Sequence, residues 1–131
     1  MAVNPAAPYR IVGIDFSLVA GADLSGHNYC CAKLDGDGHV VSGSAVTDVI
    51  IGAIQNDPEE GQEVLIGTFG IYPMKAGAAF AEGTLLTCEA AATGRVVASA
   101  GDGDWIVGVA LGEAGAANEV IPVLVGFGGR R

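Results

Sequence analysis

The chain can be laid on itself without a gap. Phe16 to Gly70 matches Tyr72 to Gly126 at a constant offset of 56 residues. Ala20-Gly21-Ala22 falls on Ala76-Gly77-Ala78, Val40-Val41 on Val96-Val97, Asp48 on Asp104, Gly52 on Gly108, Glu63-Val64 on Glu119-Val120 and Gly70 on Gly126. With Gly38/Gly94 and Ile50/Ile106 added, about twelve pairs are identical, where a composition rich in Gly, Ala and Val gives roughly five by chance. Non-identical pairs such as Phe16/Tyr72, Leu24/Phe80 and Ile51/Val107 keep their apolar character. The fold must therefore be one that a half-domain of this size can make twice.

Half of the 131 residues are hydrophobic, 21 are Gly and only 16% are charged. Such a chain can bury a core and is far from the composition of a disordered segment. Short apolar runs end at glycine and aspartate clusters, among them Asp35-Gly-Asp-Gly38 and Gly101-Asp-Gly-Asp104, which are turn signals. The runs Tyr9–Phe16, Asn28–Leu34, His39–Ser42, Val49–Gln55 and Gln62–Phe69 are followed by Ile71–Lys75, Thr84–Glu89, Arg95–Ala98, Trp105–Leu111 and Asn118–Gly126. About ten short strands predict an all-β barrel or sandwich made of two pseudo-symmetric repeats, 16–70 and 72–126, with little helix. Residues 9–126 form one domain in this reading, 1–8 an extended N-terminal arm and 127–131 a C-terminal tail. Val49–Ile54 and Trp105–Leu111 are apolar at nearly every residue, a pattern of strands covered on both faces. In a domain this small, a second copy of the chain is a natural cover.

The net charge of −9 excludes nucleic acid and an anionic membrane as expected partners, because both require clustered Lys and Arg. No run reaches the length of a membrane span, and the first residues lack the basic and apolar regions of a signal peptide. Cys30, Cys31 and Cys88 are expected to be reduced, structural thiols. His27 and His39 have no ligand-spaced neighbours, and the Asp-Gly turns lack the bidentate Glu of a calcium loop, so no metal or cofactor is expected. No catalytic constellation stands out, and the chain is expected not to be an enzyme. Lys75, after Met74, raises one alternative: a biotin- or lipoyl-type carrier, or another small-molecule-binding β-barrel. Its place inside a predicted strand counts against a loading turn.

The runs Phe16–Ser25, Ile51–Val64, Ala78–Gly83, Gly94–Val97, Ile106–Leu111 and Glu119–Val123 resemble those of the small tailed-phage head-decoration, or capsid cement, proteins. The resemblance implies a non-enzymatic protein on the outer surface of the virion capsid, made in the host cytoplasm. Its implied partners are the major capsid protein, whose contacts it stabilises, and itself as a homo-oligomer, with a trimer favoured. A spike base or head fibre component is the neighbouring structural alternative. The family carries no functional side chain to fixed positions, so contact residues are chosen by their chemistry. An extended arm can add a strand to a sheet edge, which nominates Ala2, Val3, Asn4, Pro5, Pro8, Tyr9 and Arg10 for capsid contact. Arg130 and Arg131 are nominated as electrostatic anchors, and Trp105, the sole tryptophan, as a subunit-interface residue.

Overall fold

The computed structural model describes residues 12–131, with Val12 and Phe127 described by backbone alone. Nine strands and no helix are found among these residues: β1 (Val12–Val19), β2 (Cys31–Leu34), β3 (Val40–Ser42), β4 (Gly52–Ile54), β5 (Glu63–Lys75), β6 (Leu85–Cys88), β7 (Val96–Ala98), β8 (Trp105–Ala110) and β9 (Val120–Arg130). They form one antiparallel sheet in the order β3-β2-β4-β5-β9-β8-β6-β7, with β1 added to β5. The sheet curls into a half-barrel. The all-β expectation holds, with several strand limits moved and two changes of consequence.

The predicted strands Gln62–Phe69 and Ile71–Lys75 are one 13-residue strand, β5. It serves both halves. Along one edge it pairs with β4 at Ile66 and Gly67 and then with β9 from Gly70 to Lys75, while β1 runs along the opposite edge. The expected tail at 127–131 is also largely strand, since β9 continues to Arg130, which sits opposite Trp105, with Gly129 opposite Ile106. Glycine-rich sequence reads as loop, but here it has a packing reason. A Cβ on Gly128 would run into the Trp105 indole, so the missing side chain lets the ring lie on the last strand.

The repeat is real in space. Ala20 bridges Val40 and Ala76 bridges Val96, both in parallel. Asp48 Oδ2 accepts hydrogen bonds from the Ser44 and Ala45 amides, and Asp104 Oδ2 from those of Ala100 and Gly101, four and three residues earlier in each case. The gapless offset, however, conceals compensating changes. Leu34 pairs with Val40 in the first hairpin and Cys88 with Val96 in the second, so β2 and β6 are 54 residues apart. Two residues are lost before β6 and regained in the longer β6–β7 turn. Gly67 and Leu124 hold equivalent places opposite Ala53 and Val109, which puts the start of β5 and of β9 at an offset of 57. The identities at Glu63-Val64 and Glu119-Val120 are thus one residue out of structural register.

The two halves meet in a seam built mainly by the first half's loops. Lys75 N donates to Tyr29 O at 2.8 Å, Trp105 N to Val46 O at 2.7 Å and Cys31 N to Gly94 O at 2.7 Å. Cys31, Ile50 and Ala53 of the first half are buried in the same cluster as Tyr72, Met74, Leu86, Cys88, Val107 and Ile121 of the second. A smaller core, including Leu24, Val40, Ile54, Val64 and Ile66, lies within the first half. Burying each such aliphatic side chain stabilises the fold by ~1.5–3 kcal/mol. The seam is therefore part of the main core. The apolar runs are covered as expected at Gly52, Ala53 and Ile54, yet their ends are open, with Val49 and Leu111 exposed.

Candidate functional site

β1 is the most exposed strand of the sheet. Among the described residues it pairs with β5 alone, and every residue from Gly13 to Val19 except the half-buried Leu18 is exposed. Ile14, Phe16 and Val19 are apolar members of that edge. What fixes β1 is Tyr72, a buried side chain whose hydroxyl donates to Asp15 Oδ1 and to Ile14 O. Burial first, and then the Asp15 carboxylate, raise the Tyr72 pKa far above its ordinary value, so the hydroxyl remains a donor. Its ring lies where a Cβ on Gly67 would be.

Beside Phe16 the sheet is hollowed into an apolar groove of about 420 Å³, reached by Val49, Thr68, Phe69, Trp105 and Gly126. Trp105, nominated as an interface residue, is half-buried here against the main core. Arg130 stacks over its ring at 5.9 Å. Trp105 thus contributes to the seam within the chain, while it also lines the groove and its Nε1 has no hydrogen-bond partner. The nominated arginines are likewise engaged internally. Arg130 Nη1 donates to Thr47 O and Gly103 O, each at 3.2 Å, and Arg131 Nη1 to Ser99 O at 3.0 Å. Ala2, Val3, Asn4, Pro5, Pro8, Tyr9 and Arg10 lie outside the described residues.

The remaining polar groups serve the turns. Lys33 Nζ meets Asp48 Oδ2 at 3.0 Å. Burial works against the Asp48 charge, but the Ser44 amide and Lys33 prevail and hold its pKa below the ordinary value. The Gly101 amide and the Ser99 hydroxyl do the same for Asp104. Glu89 takes Arg95 Nε at 2.9 Å across the second hairpin, and His39 lies 3.6 Å from Asp35 across the first. All three cysteines are buried and free. Burial pushes the Cys30 thiol up to about 11, and a hydrogen bond with Cys88, then burial, push up that of Cys31. These thiols are poor nucleophiles at neutral pH. Among the described residues, no group of three or more His, Cys, Asp or Glu is placed to hold a metal ion, and no helix is long and apolar enough to cross a membrane.

Lys75 ends β5, its amide bonded to Tyr29 O. Its ammonium lies 3.4 Å from Gly26 O, in a cleft of about 250 Å³ shared with His27, Arg95 and Asn118. A carrier lysine must project from a turn to reach its loading enzyme. Lys75 is set back between two halves of the sheet.

The surface thus consists of an exposed apolar edge and grooves on an acidic, turn-clamped scaffold. A family model for phage cement proteins matches residues 32–125, most of the chain. The chain belongs to the phage cement protein family. This cement protein is accordingly a structural, capsid-decorating component of the virion, and its partners are capsid proteins. Its fold is similar to that of the N base of head fiber gp8.5 of bacteriophage phi29. That structure matches at a TM-score of 0.66 and 18% identity, over 86% of this chain and 92% of that one. A comparison with curated proteins gives no match.

The sequence nominated charges and an arm for contact, and passed over the exposed apolar residues of β1 and of the strand ends. Their signal was present in the continuous apolar runs, but such runs look the same whether the cover is the chain's own or a partner's.

Proposed function

We propose that this cement protein binds the outer surface of the assembled head and reinforces contacts between neighbouring major capsid proteins. It does so as a homo-oligomer, with a trimer favoured, and without catalysis. The observation that carries the proposal is β1, an edge strand among the described residues, with Ile14, Phe16 and Val19 exposed on a chain of net charge −9. An open apolar edge invites pairing with another chain, and the acidic surface is repelled by packaged nucleic acid. The arm, Ala2 to Arg10, leads directly into β1 and supplies the reach to the capsid. Eleven residues precede Val12 and span up to ~36–40 Å when extended.

The test mixes purified protein with undecorated heads and measures co-sedimentation and the heat resistance of the heads. Saturable binding at a fixed ratio to the major capsid protein is expected, with later release of contents on heating. Deleting Ala2 to Pro8 should lower occupancy. No binding of the full chain would overturn the proposal, and unchanged occupancy of the deleted chain would remove the arm from it. The similarity to a head fibre base supports a second reading, in which the domain seats a larger surface fibre. A second virion protein bound stoichiometrically to the decorated head would favour it.

A further inference from the structure

The internal seam is one-directional. In a closed twofold, each contact from first half to second would be matched by one from second half to first. Cys31 N bonds to Gly94 O, and Lys75 N to Tyr29 O. Their register equivalents, Leu85 with Gly38 and Val19 with residue 83 or 85, make no such backbone bonds. The relation between the halves is therefore an open one. It leaves a free seam face on each half: the receiving face on the first, the presenting face on the second.

The exposed apolar residues fall on those free faces. On the receiving side, the second half uses Lys75, Cys88 and Trp105. Their equivalents in the first half, fixed by the bridges, the hairpin ladders and the aspartate clamps, are Val19, Leu34 and Val49. These are 45%, 48% and 50% exposed. On the presenting side, the first half uses Cys31 and Gln55, whose Nε2 donates to Pro73 O at 3.5 Å, and the equivalents in the second half are Leu85 and Leu111, at 43% and 40%. Half of the exposed large hydrophobic residues among those described thus stand where the other half of the chain buries its seam. Thr87 Oγ1 donates to Val46 O across the internal seam, and the equivalent positions on the free faces hold Lys33, already paired with Asp48 of its own chain, and the exposed Asp102.

We infer that copies of this chain associate head to tail, the second-half face of one copy on the first-half face of the next, repeating between molecules the seam that joins the halves within one. The occupant of each free face is a second copy of the same chain. Such a heterologous interface closes into a ring when its rotation permits, and the ring presents twice as many half-domains as it has subunits. The inference rests on the proposed homo-oligomer but not on head binding, which co-sedimentation reads separately.

Within the chain Cys31 and Cys88 are buried in one cluster across the seam. Their free-face equivalents are Leu85 and Leu34. The double variant Leu34→Cys with Leu85→Cys, oxidised in solution and on heads, should give a ladder of disulfide-linked species ending at the ring size on non-reducing gels. The native cysteines are buried and serve as the wild-type control. As a second measurement, Val49→Glu blocks only the receiving face and Leu85→Glu only the presenting face. By analytical ultracentrifugation each variant alone should be monomeric, and an equimolar mixture should form a 1:1 dimer and nothing larger. Circular dichroism checks that both remain folded, and both sites are already exposed. The inference is overturned if no ladder forms in solution or on heads, if either Glu variant keeps the wild-type mass, or if the mixture stays monomeric.

Discussion

Tyr72→Phe is the sharpest test of what holds β1 in place. Phe16 is the repeat equivalent of Tyr72, so the substitution restores internal symmetry and deletes one oxygen. The buried ring and its fit over Gly67 are kept, and no cavity opens. What disappears is the donor to Asp15 Oδ1 and to Ile14 O at 3.1 Å. A hydrogen bond to a charged acceptor contributes ~1.5–3 kcal/mol. Asp15 is exposed, so water recovers part of that and the expected loss is ~1–2 kcal/mol. With an unfolding entropy of ~2.1 cal/mol/K per residue, 131 residues give a fall in Tm of about 4–7 °C. Thermal unfolding at fixed protein concentration measures this, and hydrogen exchange should show β1 amides opening roughly 5–30-fold more often. Because the hydroxyl stays protonated well above its ordinary pKa, the difference should persist into mildly alkaline buffer. A Tm within 1 °C of wild type, with unaltered exchange in β1, would refute the tether.

Three further substitutions probe the scaffold. Gly128→Leu drives a side chain into the Trp105 ring; a loss of ~1–3 kcal/mol from overpacking is expected, with a shifted emission maximum for the chain's one tryptophan. Arg130→Ala removes the guanidinium stacked on that ring and should cost ~0.5–1 kcal/mol, read by urea unfolding. Asp48→Ala frees the Ser44 and Ala45 amides and Lys33. It should cost ~1–2 kcal/mol near pH 7, and Asp48 also contributes to acid sensitivity. Its folded pKa is depressed, so its contribution is complete above the unfolded value of ~3.9 and is lost as pH falls through the lower folded value. The variant should therefore lose less stability than wild type below about pH 4, and parallel pH profiles would contradict the clamp.

The sequence carried the strand rhythm because its turns have specific chemistry. Asp35 Oδ1 accepts the Asp37 amide at 2.8 Å and the His39 amide at 3.2 Å, as an Asp-Gly turn should. It carried the repeat for a similar reason, since Asp48 and Asp104 perform one task twice. The joining of two predicted strands into β5 was hidden by Gly70, which takes φ +147° and reads as a break in any linear scan. The C-terminal strand was hidden too, because its Gly128 makes room for a ring 23 residues earlier in the chain. Proximity of that kind has no local signal.

Trp105 and Val49 show why the contact surface was harder to read than the fold. They are equivalent positions in the repeat. In the second half the position carries the largest side chain in the protein, held by Arg130 and by the first half's loop. In the first half it carries a valine that is 50% exposed. A hydrophobic count treats both as core, and a search for interface residues selects the tryptophan for its size. The tryptophan is packed against its own chain, half-buried and with its Nε1 unpartnered, and the valine is more open still. In a duplicated domain whose halves are related by an open operation, the residue that needs a partner is the exposed equivalent of one already buried at the seam. Sequence alignment can name the pair, but only the direction of the seam tells which member is left over.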